Sequence, residues 1–293
     1  MKPKNWEKKT RMHPDFLVGI FYFLDMFKKY LLFLFFIFGL NFNLYASKRI
    51  ISLAPSITEE IYLLKAEDNL IANTIYCKIP KEAEYKEKIG SVVDVNLEKI
   101  LALNPDIVFT TELTNPNTIK KLKDFNIKVI EFFTPKNFKE LSEQFLKLAE
   151  ILEKEKEAEE IIRNLETEIL EIKEKNKNLP KVKVFVEVSS KPLMGIGRDS
   201  YINDLIELAG GVNIIETKTG LYSIEDIITK NPSVIIISDM GIDAKSEIKK
   251  WQKFKIDAVK NKKIYIFDSY KLCSPTPKNF IDTLKKFAEI LHK

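Results

Sequence analysis

Few residues in this 293-residue chain belong to the types that carry covalent or metal chemistry. Its two histidines, His13 and His292, stand in no motif, which excludes a histidine-rich zinc site and a Ser-His-Asp triad in the body of the chain. Its two cysteines, Cys77 and Cys273, are too few for a disulfide framework or a four-cysteine metal site. They leave two readings open, one bridge or two free thiols, and a bridge needs close Cβ placement. Gly195-Ile196-Gly197 matches the first part of a dinucleotide fingerprint, but Ser200 occupies the place of the third glycine and no acidic residue follows in the required context. Arg198 is one of only three arginines after residue 46 and reads as a surface-loop residue that an anionic group could also meet.

Two glutamates gain meaning from a repeat. The segment Asn96-Leu97-Glu98-Lys99-Ile100 through Asn104-Pro105-Asp106-Ile107-Val108 matches Ser223-Ile224-Glu225-Asp226-Ile227 through Asn231-Pro232-Ser233-Val234-Ile235. In each copy a polar residue can cap a helix, and a glutamate in the first turn faces the positive end of the helix dipole. Asn-Pro then ends the helix and begins a strand. Glu98 and Glu225 therefore occupy equivalent places in two halves built alike.

The elements that position these residues follow from apolar patterning. Ile50 to Leu53 reads as a short buried strand, Ala54-Pro55 as a turn, and Ser56-Ile57-Thr58-Glu59 as a capping box at a helix start. Strands near 70–74, 107–110 and 127–131 alternate with helices near 96–104 and 116–125, giving an α/β lobe over 47–137. Residues 138–179 repeat apolar side chains at helical spacing and predict two helices, the second long, near 155–177. After Pro180 the α/β pattern resumes to 293. Strands are expected at 182–188, 233–237 and 263–267, a helix at 201–209 closed by a left-handed Gly210-Gly211, and a last helix at 276–291. The fold class is α/β: two α/β lobes joined by a single long helical spine.

Apolar residues make up 45% and charged residues 30%, so the body of the chain is expected to fold. Most of the formal charge of +5 lies in residues 1–46, which hold seven basic and three acidic residues. A nearly neutral body argues against nucleic acid as a partner. Lys28 and Lys29, the apolar run 31–40 and Leu44-Tyr45-Ala46 follow the order of a cleaved export signal, so 1–46 reads as a signal peptide with cleavage after Ala46. Met26 begins a signal of ordinary length, which makes 1–25 a candidate misassigned start. The mature protein is then expected in the periplasm, and without a cysteine after the apolar run it carries no lipid anchor.

The export signal, Arg49-Ile50-Ile51-Ser52-Leu53-Ala54-Pro55-Ser56, the stretch from Asn96 to Asp106, Ala209-Gly210-Gly211-Val212-Asn213 and the helical spine together resemble the periplasmic binding proteins of ABC importers. The likeness covers nearly all of 48–293. It is closest to corrinoid (vitamin B12-like) carriers, in a class that also takes ferric siderophores and haem. It implies a cleft between lobes holding a small metal chelate, with Pro55, Ser56, Tyr76 and Cys77 on one rim. Asp268, Ser269, Tyr270, Lys271 and Leu272 would form the other rim. It also implies a monomer whose Glu98 and Glu225 dock onto a permease dimer served by a cytoplasmic ATPase. One carboxylate per lobe suits a two-fold partner, and charge pairs set register and speed encounter. Ferric siderophore or haem is the alternative cargo. No enzymatic activity, metal site or resident cofactor is expected.

Overall fold

The computed structural model describes residues 25–30 and 48–293, apart from residue 242. The chain divides into two units, Met1–Ala46 and Ser47–Lys293. In the first, residues 25–30 are helical and exposed, with Lys29 paired to Asp25 at 3.0 Å. The apolar run 31–40 and the expected cleavage site at Ala46 lie outside the described residues.

The second unit opens with β1 (Ile50–Ser52), buried throughout, as a central parallel strand requires. β2 (Leu70–Asn73), β3 (Glu87–Lys88), β4 (Ile107–Thr111) and β5 (Lys128–Phe132) complete a parallel sheet in the order β3-β2-β1-β4-β5. The chain builds outward from β1 to β3, then crosses back to β4. The order therefore reverses between β1 and β4, and a reversal of this kind opens a crevice at the carboxyl ends of the strands. Helices α1 (Pro55–Leu63), α2 (Leu97–Ala102) and α3 (Pro116–Asp124) connect these strands.

The helix start at residue 55 differs from the sequence expectation. Ser56 is inside α1 rather than capping it. Ala54 is the N-cap residue, without a side-chain cap, and Pro55 takes the first helical position, where its missing N–H costs no hydrogen bond. Glu59 does not close a capping box, because its carboxylate accepts hydrogen bonds from Tyr270 and Asn279 instead.

The spine consists of α4 (Phe138–Leu152) and α5 (Glu155–Asn176). Asn137 caps α4 by accepting from the Glu140 amide at 2.9 Å. Glu153, in the left-handed region at φ 59°, separates the two helices. The second lobe is a six-stranded sheet. Its strands β6 (Val182–Ser190), β7 (Leu193–Gly195), β9 (Gly220–Leu221), β10 (Val234–Ser238) and β11 (Ile264–Phe267) run in the order β11-β10-β6-β7-β9, and β8 (Gly211–Asn213) also pairs with β6. Its helices include α6 (Tyr201–Leu208), α7 (Ile224–Lys230), α8 (Ala244–Trp251), α9 (Asp257–Lys260), α10 (Ser269–Cys273) and α11 (Pro277–His292). After α6 only Gly210 is left-handed, at φ 88°. Gly211 instead begins β8, where a Cβ would stand 2.8 Å from the Ile206 side chain.

One apolar core runs through both lobes. Ile50 and Phe109 from the first sheet, Phe145 and Leu165 from the spine, and Val184 and Ile236 from the second sheet belong to it. Phe280, Leu284 and Phe287 of α11 join the same core. The joint is thus a layer of three helices, two from the spine and one returning from the second lobe. A large apolar joint of this kind resists relative motion of the halves it unites.

Candidate ligand-binding cleft

At the carboxyl ends of β1, β4 and β5 lies a cleft enclosing about 700 Å³ of space continuous with solvent. Its walls are the cleft face of α1 (Pro55, Ser56, Ile57, Glu60), the turns after β4 and β5, Leu141 and Gln144 of α4, and Cys273–Pro275 from the second lobe. The floor is braced locally. Ser52 Oγ donates to the Ala54 carbonyl at 3.0 Å, and Thr58 Oγ1 donates to Ser52 Oγ at 2.9 Å. The turn after β5 is tied to the turn after β4, because the Thr134 amide and hydroxyl both donate to Glu112 Oε1.

The walls are mainly apolar. Leu113 is 65% exposed and Phe133 62% exposed, although both are large hydrophobic residues. Tyr76, Val93 and Met240 are likewise exposed in the turns that follow β2, β3 and β10. Large apolar side chains left uncovered around a concavity mark a surface that a partner covers.

The polar lining carries no cationic side chain; among the described lining residues only Glu60 and Cys273 are ionisable. Glu60 is only 8% exposed, and its carboxyl group has no hydrogen-bond or ion-pair partner among the described residues. Burial, reinforced by the adjacent Glu59 carboxylate, holds its pKa well above the ordinary carboxylate value. Thr111 Oγ1 is buried without a hydrogen-bond partner, and Gln144 is half-buried.

The residues expected on the rims fall into three groups. Pro55 and Ser56 line the cleft. Tyr76 and Cys77 lie on the turn after β2, outside the lining, with Tyr76 55% exposed and Cys77 fully buried. Thr58 Oγ1 and Thr74 Oγ1 each stand 3.2 Å from Cys77 Sγ. Lys88 pins this turn: its Nζ donates to Asn73 Oδ1 at 2.6 Å and to the carbonyls of Ala83, Thr74 and Cys77 at 2.9, 3.3 and 3.3 Å.

The third group, 268–272, has structural partners of its own. Asp268 caps α10 by accepting from the amides of Tyr270 and Lys271. The Ser269 amide donates to Asp239, and the buried Leu272 offers its carbonyl to the Tyr201 hydroxyl. Lys271 is exposed. The residues of this loop that reach the cleft are the next three, Cys273 to Pro275. Both cysteines are free thiols, Cys77 buried and Cys273 exposed.

Sequence reasoning passed over Glu60, Thr111, Leu113, Phe133 and Gln144. A signal was present for three of them. Thr111, Leu113 and Phe133 end or directly follow the strands expected at 107–110 and 127–131, where a parallel sheet places its ligands.

The two repeat copies fold alike. Asn96 Oδ1 accepts from the Lys99 amide at 2.9 Å, and Ser223 Oγ accepts from the Asp226 amide at 3.0 Å. Asn104 and Asn231 leave their helices in the left-handed region, at φ 43° and 47°, each just before a proline. Glu98 and Glu225 are the second residues of α2 and α7. Both are exposed, and neither forms an ion pair among the described residues. The two glycines of the partial fingerprint serve packing. A Cβ at Gly195 would lie 2.7 Å from the Phe185 ring, and one at Gly197 would lie 2.2 Å from the Thr217 carbonyl. Arg198 stands 3.8 Å from Glu216.

Residues 50–271 match the periplasmic binding protein family. The chain is 30% identical over 254 residues to an uncharacterized ABC transporter substrate-binding lipoprotein, YvrC, of Bacillus subtilis (strain 168), covering 84% of this chain and 80% of that one. It is 28% identical over 253 residues to the vitamin B12-binding protein of Vibrio vulnificus (strain CMCP6), covering 84% and 92%. The crystal structure of the periplasmic vitamin B12-binding protein BtuF of Vibrio cholerae aligns with a TM-score of 0.72 at 26% identity, over 83% of this chain and 96% of that one. The chain belongs to the periplasmic binding protein family, and it is a substrate-binding protein rather than an enzyme.

Proposed function

We propose that the protein captures a corrinoid outside the cytoplasmic membrane and hands it to an ABC import permease. The observation that carries this reading is the cleft lining: apolar walls with isolated polar groups and no lysine, arginine or histidine. Haem brings two carboxylates, and many ferric siderophores are anionic; sites for such ligands use cationic side chains. A corrinoid bears neutral amides around a broad ring, which suits these walls. The names of the Vibrio relatives support the same cargo. Delivery rests on Glu98 and Glu225, one at the start of a helix in each lobe, as contacts for a permease dimer driven by its ATPase. Periplasmic location rests on the signal-like order of residues 1–46 and on the family.

Calorimetry with cobalamin, dicyanocobinamide, haemin and a ferric siderophore tests the cargo. Corrinoid binding is the expected result. Binding of haemin or the siderophore without either corrinoid would transfer the protein to iron uptake.

A further inference from the structure

Glu60 has no structural employment. It is a buried carboxyl group without a partner, it faces the cleft, and the carboxylate next to it in sequence, Glu59, is already committed to Tyr270 and Asn279. Such a group in a ligand cleft is most simply satisfied by the ligand.

We propose that Glu60 reads a carboxamide of the bound ligand, with Thr111 Oγ1 and Gln144 completing a neutral hydrogen-bonding floor. Burial and the Glu59 carboxylate both oppose ionisation of Glu60, and no cationic side chain lines the cleft to stabilise its carboxylate, so the protonated form is favoured relative to an exposed carboxyl group. A protonated carboxyl group presents one donor beside one acceptor. A primary carboxamide presents the complementary pair, so the two close a ring of two hydrogen bonds. A ligand carboxylate offers two acceptors and no donor, so it would leave the acceptor oxygen of Glu60 unmatched. Thr111 Oγ1, buried without a partner, supplies a third group of the same kind. The inference deepens the corrinoid reading and rests on it, because carboxamides fringe the corrin ring.

The test compares dicyanocobinamide, whose ring side chains are amides, with cobyrinic acid, which carries carboxylates in their place. Each is titrated calorimetrically into the full-length protein, Glu60→Leu and Glu60→Gln, with thermal melts to confirm folding. Wild type should prefer the amide ring by about tenfold or more, the scale of one matched hydrogen bond in a buried site. Glu60→Leu should lose about that factor for cobinamide, and Glu60→Gln, which keeps a donor and an acceptor, should recover most of it. Cobinamide binding by folded Glu60→Leu at wild-type strength overturns the inference and leaves the corrinoid reading intact. A Glu60→Gln loss as deep as that of Glu60→Leu also overturns it, since the carboxyl would then act as an anion. If Glu60→Leu does not fold, the wild-type preference and Glu60→Gln still decide. Wild type that binds neither corrinoid overturns both readings.

Discussion

The hydroxyl of Tyr270, in the second lobe, donates a hydrogen bond of 3.1 Å to Glu59 Oε2, in the first lobe. The same carboxylate oxygen accepts from Asn279 Nδ2 at 2.9 Å. Burial raises the pKa of Glu59, while these two donors and nearby Lys278 oppose the rise. The pair is a polar pin set beside the apolar joint, and it fixes the loop that carries Cys273 to Pro275 to the cleft.

We predict that Tyr270→Phe destabilises the protein by about 1–2 kcal/mol, because Glu59 loses one donor in a buried setting. The ring remains, so corrinoid affinity should change little. Tyr270→Ala should weaken both folding and binding if the ring also meets the ligand. Urea unfolding paired with calorimetry separates the effects; an unchanged unfolding midpoint for Tyr270→Phe would show that the pin is idle.

Lys88 should control the turn that bears Tyr76. Lys88→Met removes the donor shared by four oxygens and should cost about 2 kcal/mol. Amide hydrogen exchange at residues 74–77 should accelerate more than exchange in β10. Equal acceleration at both would mean a global loss of stability rather than a freed turn.

In the second lobe, Glu187 is fully buried and accepts from Trp251 Nε1 at 2.6 Å. Burial first, then the neighbouring Glu247 carboxylate, push its pKa from 4.5 up to about 8 against that donation. Between those values the native state keeps a proton that the unfolded chain has released. Stability should therefore fall as pH rises through this window, by at most about 1.4 kcal/mol per unit, and level off below it. Glu187→Gln should flatten this part of the profile in melts from pH 5 to 8. Parallel profiles for variant and wild type would remove Glu187 as the source.

The docking reading predicts a separation of functions. A glutamate in a first helical turn contributes only about 0.3–1 kcal/mol through the dipole. The double reversal Glu98→Lys with Glu225→Lys should leave folding and ligand affinity nearly intact while abolishing uptake in cells, because like charges at the permease can cost several kcal/mol. Single reversals should be partly defective. Normal uptake by the double variant would reduce both residues to helix stabilisers.

Cleavage after Ala46 predicts a mature chain beginning at Ser47. N-terminal sequencing of protein from the periplasmic fraction checks it, and a product retaining residues 26–46 would count against export by a cleaved signal.

Much of the scaffold was legible because burial leaves a local imprint. The apolar runs at 50–51, 107–109 and 234–237 are the buried parts of interior strands covered on both faces. The spacing of Leu141, Phe145, Leu148 and Leu152 could belong only to a helix face. The asparagine–proline pairs announced two matching helix exits. What failed were readings whose partners are distant in sequence. Glu59 looked like a capping residue because its real partners stand 211 and 220 residues away. Glu60 drew no reading at all, because the turns after β4 and β5, α4 and the loop after α10 that enclose it stand far along the chain.

The shared interior of the two lobes has a consequence for traffic at the membrane. A carrier that hinges widely can hide its docking groups until cargo arrives. Here a three-helix joint that resists relative motion of the lobes would hold Glu98 and Glu225 at nearly constant separation as the cleft fills and empties. On the docking proposed above, empty carriers would compete with loaded ones for the same permease. Import would then respond to the fraction of carriers charged with ligand, and making more carrier in a ligand-poor medium would slow uptake rather than hasten it.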